Sequence, residues 1–304
     1  MTQLLNALPG ALAQGLIWGV MAIGVYITYK VLDIADLTVD GSICTGAAVC
    51  TMLLLGGQSP WLALLCAVLA GVLAGAVTGL LHVGLGIPSI LAGILTQMVL
   101  WSVNLKLLGK ANQALPARTT PVLLSQMDVG GALPVLLGFC VVLVALLVLF
   151  FGTELGCALR ATGCNPVMSR AQGVNTGLMK VIGLALSNGV VALSGALLCQ
   201  YQGYTDVNMG RGAVVIGLAA VVIGQAVLGR RGGRMAVQLG GVILGAVIYY
   251  IVYQVIIFAG FDTDLLKMFS AVVVAVFLGA PHVKAQLKAH SRSKKGDSGH
   301  AKNE

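Results

Sequence analysis

Leu37-Thr38-Val39-Asp40-Gly41-Ser42 interrupts two apolar stretches with a carboxylate, a glycine and two hydroxyls. Asp33 and Asp36 lie just upstream, so three of the ten acidic residues fall within eight positions. Charge in or beside lipid is costly and marks function more often than packing. A helix broken at membrane depth is tolerated where it is buried in protein or lines a water-filled route. The run therefore predicts an interrupted helix beside a polar path through a bilayer.

Composition sets the frame around that run. The chain has 304 residues, 58% hydrophobic and 9% charged, with mean hydropathy +0.96. That profile predicts an all-α polytopic membrane protein. A β-barrel is excluded, because its strands alternate apolar and polar residues instead of running apolar for about 20 positions. The 41 glycines suit close helix–helix approach in lipid, where packing drives association. Seven cysteines are present, with no CxxC pair. Most lie in apolar stretches, where Cys acts as a small hydrophobe, so neither a disulfide framework nor a metal site is expected.

Apolar segments are expected at about 10–32, 41–56, 60–84, 88–108, 131–151, 174–199, 212–229, 235–259 and 264–280. That gives eight or nine transmembrane helices, some of them short or re-entrant. The second segment is too short for a full span. The fourth follows Gly86-Ile87-Pro88 and carries Gln97, Ser102 and Asn104, so it reads as a half-helix or re-entrant piece. The first segment reads as a retained helix rather than a signal peptide. Residues 1–281 form the membrane domain, and 282–304 a basic, disordered tail.

Lysine and arginine orient the chain. Arg160 and Arg170 share one loop, Arg230, Arg231 and Arg234 another, and Lys284, Lys288, Arg292, Lys294, Lys295 and Lys302 sit in the tail. Placing these on the cytoplasmic side predicts an external N-terminus and a cytoplasmic C-terminus. Cys157 and Cys164 would then be cytoplasmic and reduced. A nucleic-acid role for the tail is not expected, since no folded module accompanies it.

Asp40-Gly41-Ser42 and Ala47-Ala48-Val49 are echoed by Gly210-Arg211-Gly212 and Ala219-Ala220-Val221. In this topology the two helices run in opposite senses, the mark of an inverted repeat with a site between halves. Shared Gly and Ala content explains the echo equally well. No phosphate-binding GxxxxGK[ST] loop, HExxH or GxSxG occurs, so the chain carries no visible means of hydrolysing ATP.

The loop Gly156 to Gly173 mixes Leu159, Arg160, Ala161, Thr162 and Gly163 with a stop at Asn165-Pro166, then Arg170. It predicts a short amphipathic helix along the membrane that offers contacts to a partner, or a loop that only sets topology. Asn188 reads either as a polar path residue or as a packing hydrogen bond. Asp40 also suits a helix N-cap.

These motifs, in order, resemble the permease subunits of ABC importers of the branched-chain amino acid and ribose type. Leu37–Ser42, with acidic Asp36 before it, is similar to that family's Asp-Leu-Ser-Val-Gly-Ser element, from which this chain departs by carrying Asp40 ahead of the glycine. Gly156–Gly173 looks like its cytoplasmic coupling segment, and Gly217–Gly241 like its later Gly-rich helix and turn. The resemblance spans residues 10–281 and is nearest a poorly characterised subgroup linked to binding proteins for aromatic amino acids or other small solutes.

The resemblance implies a non-catalytic, multi-pass subunit of the bacterial cytoplasmic membrane without a cofactor. Its implied partners are cytoplasmic ABC ATPases, an extracytoplasmic solute-binding protein and a second permease copy, as a homodimer. Leu159, Arg160, Ala161, Thr162, Gly163, Asn165, Pro166 and Arg170 would couple to the ATPase. Asp36, Thr38, Asp40, Ser42, Gln97, Asn104 and Asn188 would line the solute pathway. A rival reading is a secondary transporter or channel driven by an ion gradient, with Asp33, Asp36 and Asp40 as cation or proton sites.

Overall fold

The computed structural model describes residues 2–116, 120, 122–228, 234–258 and 272, with side chains from Ala7 onward. The turn at Arg230, Arg231, Gly232 and Gly233, the apolar segment 264–280 apart from Val272, and the basic tail 282–304 lie outside the described residues.

Helix dominates. In order come α1 (Thr2–Tyr26), a π-helical turn (Ile27–Val31), α2 (Val39–Leu55), α3 (Pro60–Gly84) and α4 (Ser89–Leu108). Then follow β1 (Asn112–Ala114), α5 (Val129–Gly152), α6 (Glu154–Cys164), α7 (Pro166–Ala171) and α8 (Thr176–Gln202). The order closes with β2 (Tyr204–Asp206), α9 (Ala213–Leu228) and α10 (Met235–Phe258). Among the described residues six stretches are long and apolar enough to cross a bilayer: Ala7–Val31, α3, α4, α5, α8 and α10. The 17-residue α2 and 16-residue α9 are apolar but shorter. At 1.5 Å per residue they reach only about 25 Å, less than a hydrocarbon core of about 30 Å.

The helix ends follow local chemistry. Ser59 caps α3, with Pro60 in the first turn where its missing N–H costs nothing. Asp128 caps α5 through Gly131 N–H at 3.0 Å, and Asn175 caps α8 through Leu178 N–H at 3.1 Å. The segment at 88–108 differs from the expected re-entrant piece. It is one uninterrupted 20-residue helix. Pro88 precedes the helix rather than breaking it, and Gln97 and Asn104 are accommodated on one face, turned toward α2.

The break upstream also differs in detail. The chain leaves helical geometry after Val31 and regains it at Val39, so Gly41 lies inside α2. The interruption is made by the π-turn and by Asp33, whose φ of 55° is left-handed. Gly41 serves packing instead: a Cβ there would sit 3.3 Å from Gln97 Cα, drawing α4 close to α2.

Helix α8 is the central post. Gly46 of α2 meets the Ala192 carbonyl, Gly195 of α8 meets the Ile43 carbonyl, and Gly75 of α3 meets the Leu184 carbonyl. In each case a side chain would collide with backbone, so these small residues set the interhelical distance. Outward, α3 and α5 expose apolar rows that include Leu65, Leu69, Leu73, Leu146 and Leu149, a surface suited to lipid.

The two short helices run apart from a common start. At the far end of α2, Thr51 Oγ1 lies 2.6 Å from Thr205 Oγ1 of β2, and β2 pairs antiparallel with β1. At the far end of α9, Gly224 packs on Gly241 of α10. Nearby in α10, Gln238 accepts the Tyr26 hydroxyl at 2.6 Å. Tyr26 leads into the π-turn, whose Val31 carbonyl meets Gly163 of α6. So α2 runs toward the strand end and α9 toward the α6–α7 end.

Candidate functional site: a cavity where two short helices begin

Asp40, in the first turn of α2, does not cap its own helix. Its Oδ2 accepts the Gly212 N–H at 3.0 Å and its Oδ1 accepts the Val214 N–H at 3.0 Å. The carboxylate therefore sits at the N-terminus of α9, where exposed donors and the helix dipole favour an anion. Gly210 permits the approach, since a Cβ there would collide with the Asp40 carbonyl, and its N–H is received by Cys44 Sγ at 3.2 Å.

Beside this junction lies a cavity of about 560 Å³. Helix α2 lends Asp40, Gly41 and Cys44. Helix α4 lends a stripe at helical spacing, Ile94, Gln97, Met98, Trp101, Ser102 and Asn104, and the β2–α9 loop lends Val207 and Arg211. Asn104 is 1% exposed, and neither its amide nitrogen nor its oxygen has a hydrogen-bond partner among the described residues. A buried amide left unpaired costs about 1–3 kcal/mol, and such a group asks for an explanation.

The other predicted pathway residues occupy a separate, closed network. Asp36 Oδ1 accepts the Thr38 N–H at 2.9 Å, and its Oδ2 accepts from Asn188 Nδ2 at 2.7 Å. Asn188 Oδ1 in turn accepts the Ser42 hydroxyl at 2.6 Å. The Thr38 hydroxyl lies 2.9 Å from Thr78 Oγ1, which donates to Thr96 Oγ1 at 3.0 Å. All are buried, and Asp36 has no cation partner among the described residues. This network ties the broken run to α3, α4 and α8, while Asp40, Gln97 and Asn104 line the cavity.

The segment 154–171 folds as two short helices bent at Asn165, which caps α7 through Met168 N–H at 3.0 Å. Leu159 and Thr162 are buried, while Arg160, Ala161, Asn165, Pro166 and Arg170 are exposed and Gly163 is half-buried. Arg160 Nη2 donates to the Phe151 carbonyl at 3.1 Å, closing the end of α5, and Arg170 Nη2 donates to Thr176 Oγ1 at 3.1 Å. Gly163 presses on the Val31 carbonyl and Leu32 backbone, and Gly183 of α8 faces both Leu32 and Leu159. The pair thus abuts the π-turn directly. Val167 and Met168, 80% and 62% exposed, form an apolar knob on α7 that the loop's basic residues had overshadowed in the sequence. Arg211, which the sequence marks only as part of the Gly210-Arg211-Gly212 echo, is brought to the cavity by the fold of the β2–α9 loop.

Comparison with known proteins agrees with this architecture. Residues 8–280 match the family described as "Branched-chain amino acid transport system / permease component". The chain is 37% identical to a tyrosine transport system permease protein of Clostridioides difficile, covering 93% of this chain and 94% of that protein. It is 33% identical to an uncharacterised protein of Rickettsia prowazekii, over 91% and 98% of the two chains. Similarity to the autoinducer 2 import system permease protein LsrC of Escherichia coli is lower, 28% over 67% of this chain and 60% of that one. No solved structure matches. With nearly its whole length in register, the chain belongs to the family of branched-chain amino acid transport system permease components.

Proposed function

We propose that this chain is the membrane-spanning subunit of an ATP-driven importer for a small solute, an amino acid or related compound, with an aromatic amino acid as the favoured candidate. The observation that carries the reading is the cavity between α2, α4 and the β2–α9 loop, with Asn104 buried and unpaired at its wall. The tyrosine permease similarity supports the aromatic choice. An extracytoplasmic binding protein would deliver the solute at the strand end, and cytoplasmic ATPases would dock on α6 and α7 at the other. Two copies of the chain would form the pore, with the C-terminus cytoplasmic and ATP hydrolysis on the partner. The opposed run of α2 and α9 from one junction supports an inverted repeat about the site.

Coupling follows from packing. A push on α6 reaches the Val31 carbonyl and the Leu32 backbone through Gly163. Four residues on, Asp36 is bonded to α8 through Asn188. Rigid helices joined through a π-turn then convert a displacement at the docking face into a shift of α2 against α8. Of the three acids on which an ion-driven carrier would rest, Asp36 is engaged by Thr38 and Asn188 and Asp40 by Gly212 and Val214, while Asp33 is exposed.

The test is co-expression with candidate ABC ATPase and solute-binding proteins from the same genome, followed by purification and an ATPase assay in liposomes. A stable complex whose hydrolysis rises with loaded binding protein supports the reading. A chain that captures no ATPase contradicts it.

A further inference from the structure

Three groups in the cavity have unequal employment. Asp40 spends both carboxylate oxygens on the α9 N-terminus. That neutralises the positive end of the helix from within. Arg211 is the cation among the cavity's lining residues, and its guanidinium has no hydrogen-bond or ion-pair partner among the described residues. Asn104 keeps an unpaired amide buried within the α4 wall. Between them, Ile94, Met98 and Trp101 present apolar surface.

We infer that the cavity receives an anionic group, a carboxylate in class, on Arg211, with the apolar stripe of α4 against the rest of the solute. A planar guanidinium matches a carboxylate fork to fork. Asp40 sharpens the assignment. By occupying the helix end itself, it leaves Arg211 as the place where a solute anion can go, and it disfavours a second negative charge on the solute. The inference rests on the importer reading for the identity of the anion as a transported solute, but the cavity's charge preference is measurable without transport.

The experiment uses the full chain, purified in phospholipid-free detergent, with Cys44→Ala, Cys66→Ala, Cys157→Ala and Cys164→Ala. Ser102→Cys then places one thiol at the cavity wall. Its rates with an anionic methanethiosulfonate (ethylsulfonate) and a cationic one (ethyltrimethylammonium) are compared with those of a small free thiol. The lining carries Asp40 as well as Arg211, so the reading is the part of the anion-to-cation ratio that Arg211 supplies, not the ratio itself. Arg211→Gln should lower the anion-to-cation ratio about tenfold, and Arg211→Lys should keep most of it. 3-Phenylpropionate should slow the anionic reagent, and 3-phenylpropan-1-ol should not. A ratio indifferent to Arg211→Gln overturns the inference, as does equal protection by acid and alcohol. Protection by phosphatidylglycerol in nanodiscs, with none by 3-phenylpropionate, would assign the anion to a lipid headgroup and also overturn it. None of these readouts involves the ATPase, so a failed importer complex and a failed anion site are told apart.

Discussion

Asp40 Oδ1 accepts the backbone N–H of Val214 at 3.0 Å across a sequence separation of 174 residues, so the first turn of one short helix caps the first turn of the other. A cap in trans fixes the junction beside which the cavity opens. Asp40→Ala removes both acceptors and should cost about 1–2 kcal/mol by the usual worth of an N-cap. Asp40→Asn keeps one acceptor oxygen and should cost less. Thermal unfolding in detergent gives the order wild type, Asn, Ala. An Ala variant as stable as wild type would remove the cap from the account.

Asn188 should behave as a structural residue of high cost. It satisfies Asp36 and Ser42 together. Asn188→Ala strands a buried carboxylate and opens a gap beside it, with a loss of about 1–3 kcal/mol or more. Asn188→Asp should be worse, because two carboxylates would then face each other. The yield of monodisperse protein and its midpoint of unfolding report this. Tolerance of Asn188→Asp would show that the network is dispensable.

Asn104 should show the opposite signature. Asn104→Leu removes an unpaired buried amide, so stability should hold or rise by about 1 kcal/mol. Uptake by the reconstituted complex should nevertheless fall at least severalfold, and Gln97→Ala should act in the same direction. Unchanged uptake in both variants would make the α4 stripe mere packing.

The contact of α6 with the π-turn predicts uncoupling. Gly163→Val drives a side chain into the Val31 carbonyl, whereas Ala161→Val projects from an exposed position. The first should abolish transport while basal ATP hydrolysis persists, and the second should be near neutral. Arg160→Glu should uncouple as well, beyond the smaller stability loss expected from its bond to the Phe151 carbonyl. Full transport by Gly163→Val or by Arg160→Glu would sever the proposed linkage.

Much of this architecture was legible in the chain. Apolar run lengths placed α3 at 60–84 and α10 near 235–259, because about 20 apolar residues leave few alternatives in lipid. Three features were not legible. The π-turn has no local signature, since Ile27–Val31 is helix-compatible and departs from α-geometry where α6 and α8 crowd it. The partner of Asp40 lies on α9, and only the tertiary fold brings Gly212 and Val214 to it. The polar residues of the broken run divide between a sealed network and an open cavity. Side-chain chemistry is the same in both; Asn188 of α8 faces Asp36 and Ser42, whereas Asn104 of α4 meets no such partner.

The most direct test of the central claim is uptake by proteoliposomes that hold this chain, its ATPase and its binding protein, with all ion gradients collapsed by ionophores. A panel of labelled amino acids that includes L-tyrosine serves as the probe. The account predicts accumulation that needs ATP on the ATPase side and stops when the ATPase is left out. Uptake by the chain alone, driven by an imposed ion gradient and indifferent to ATP, would contradict it.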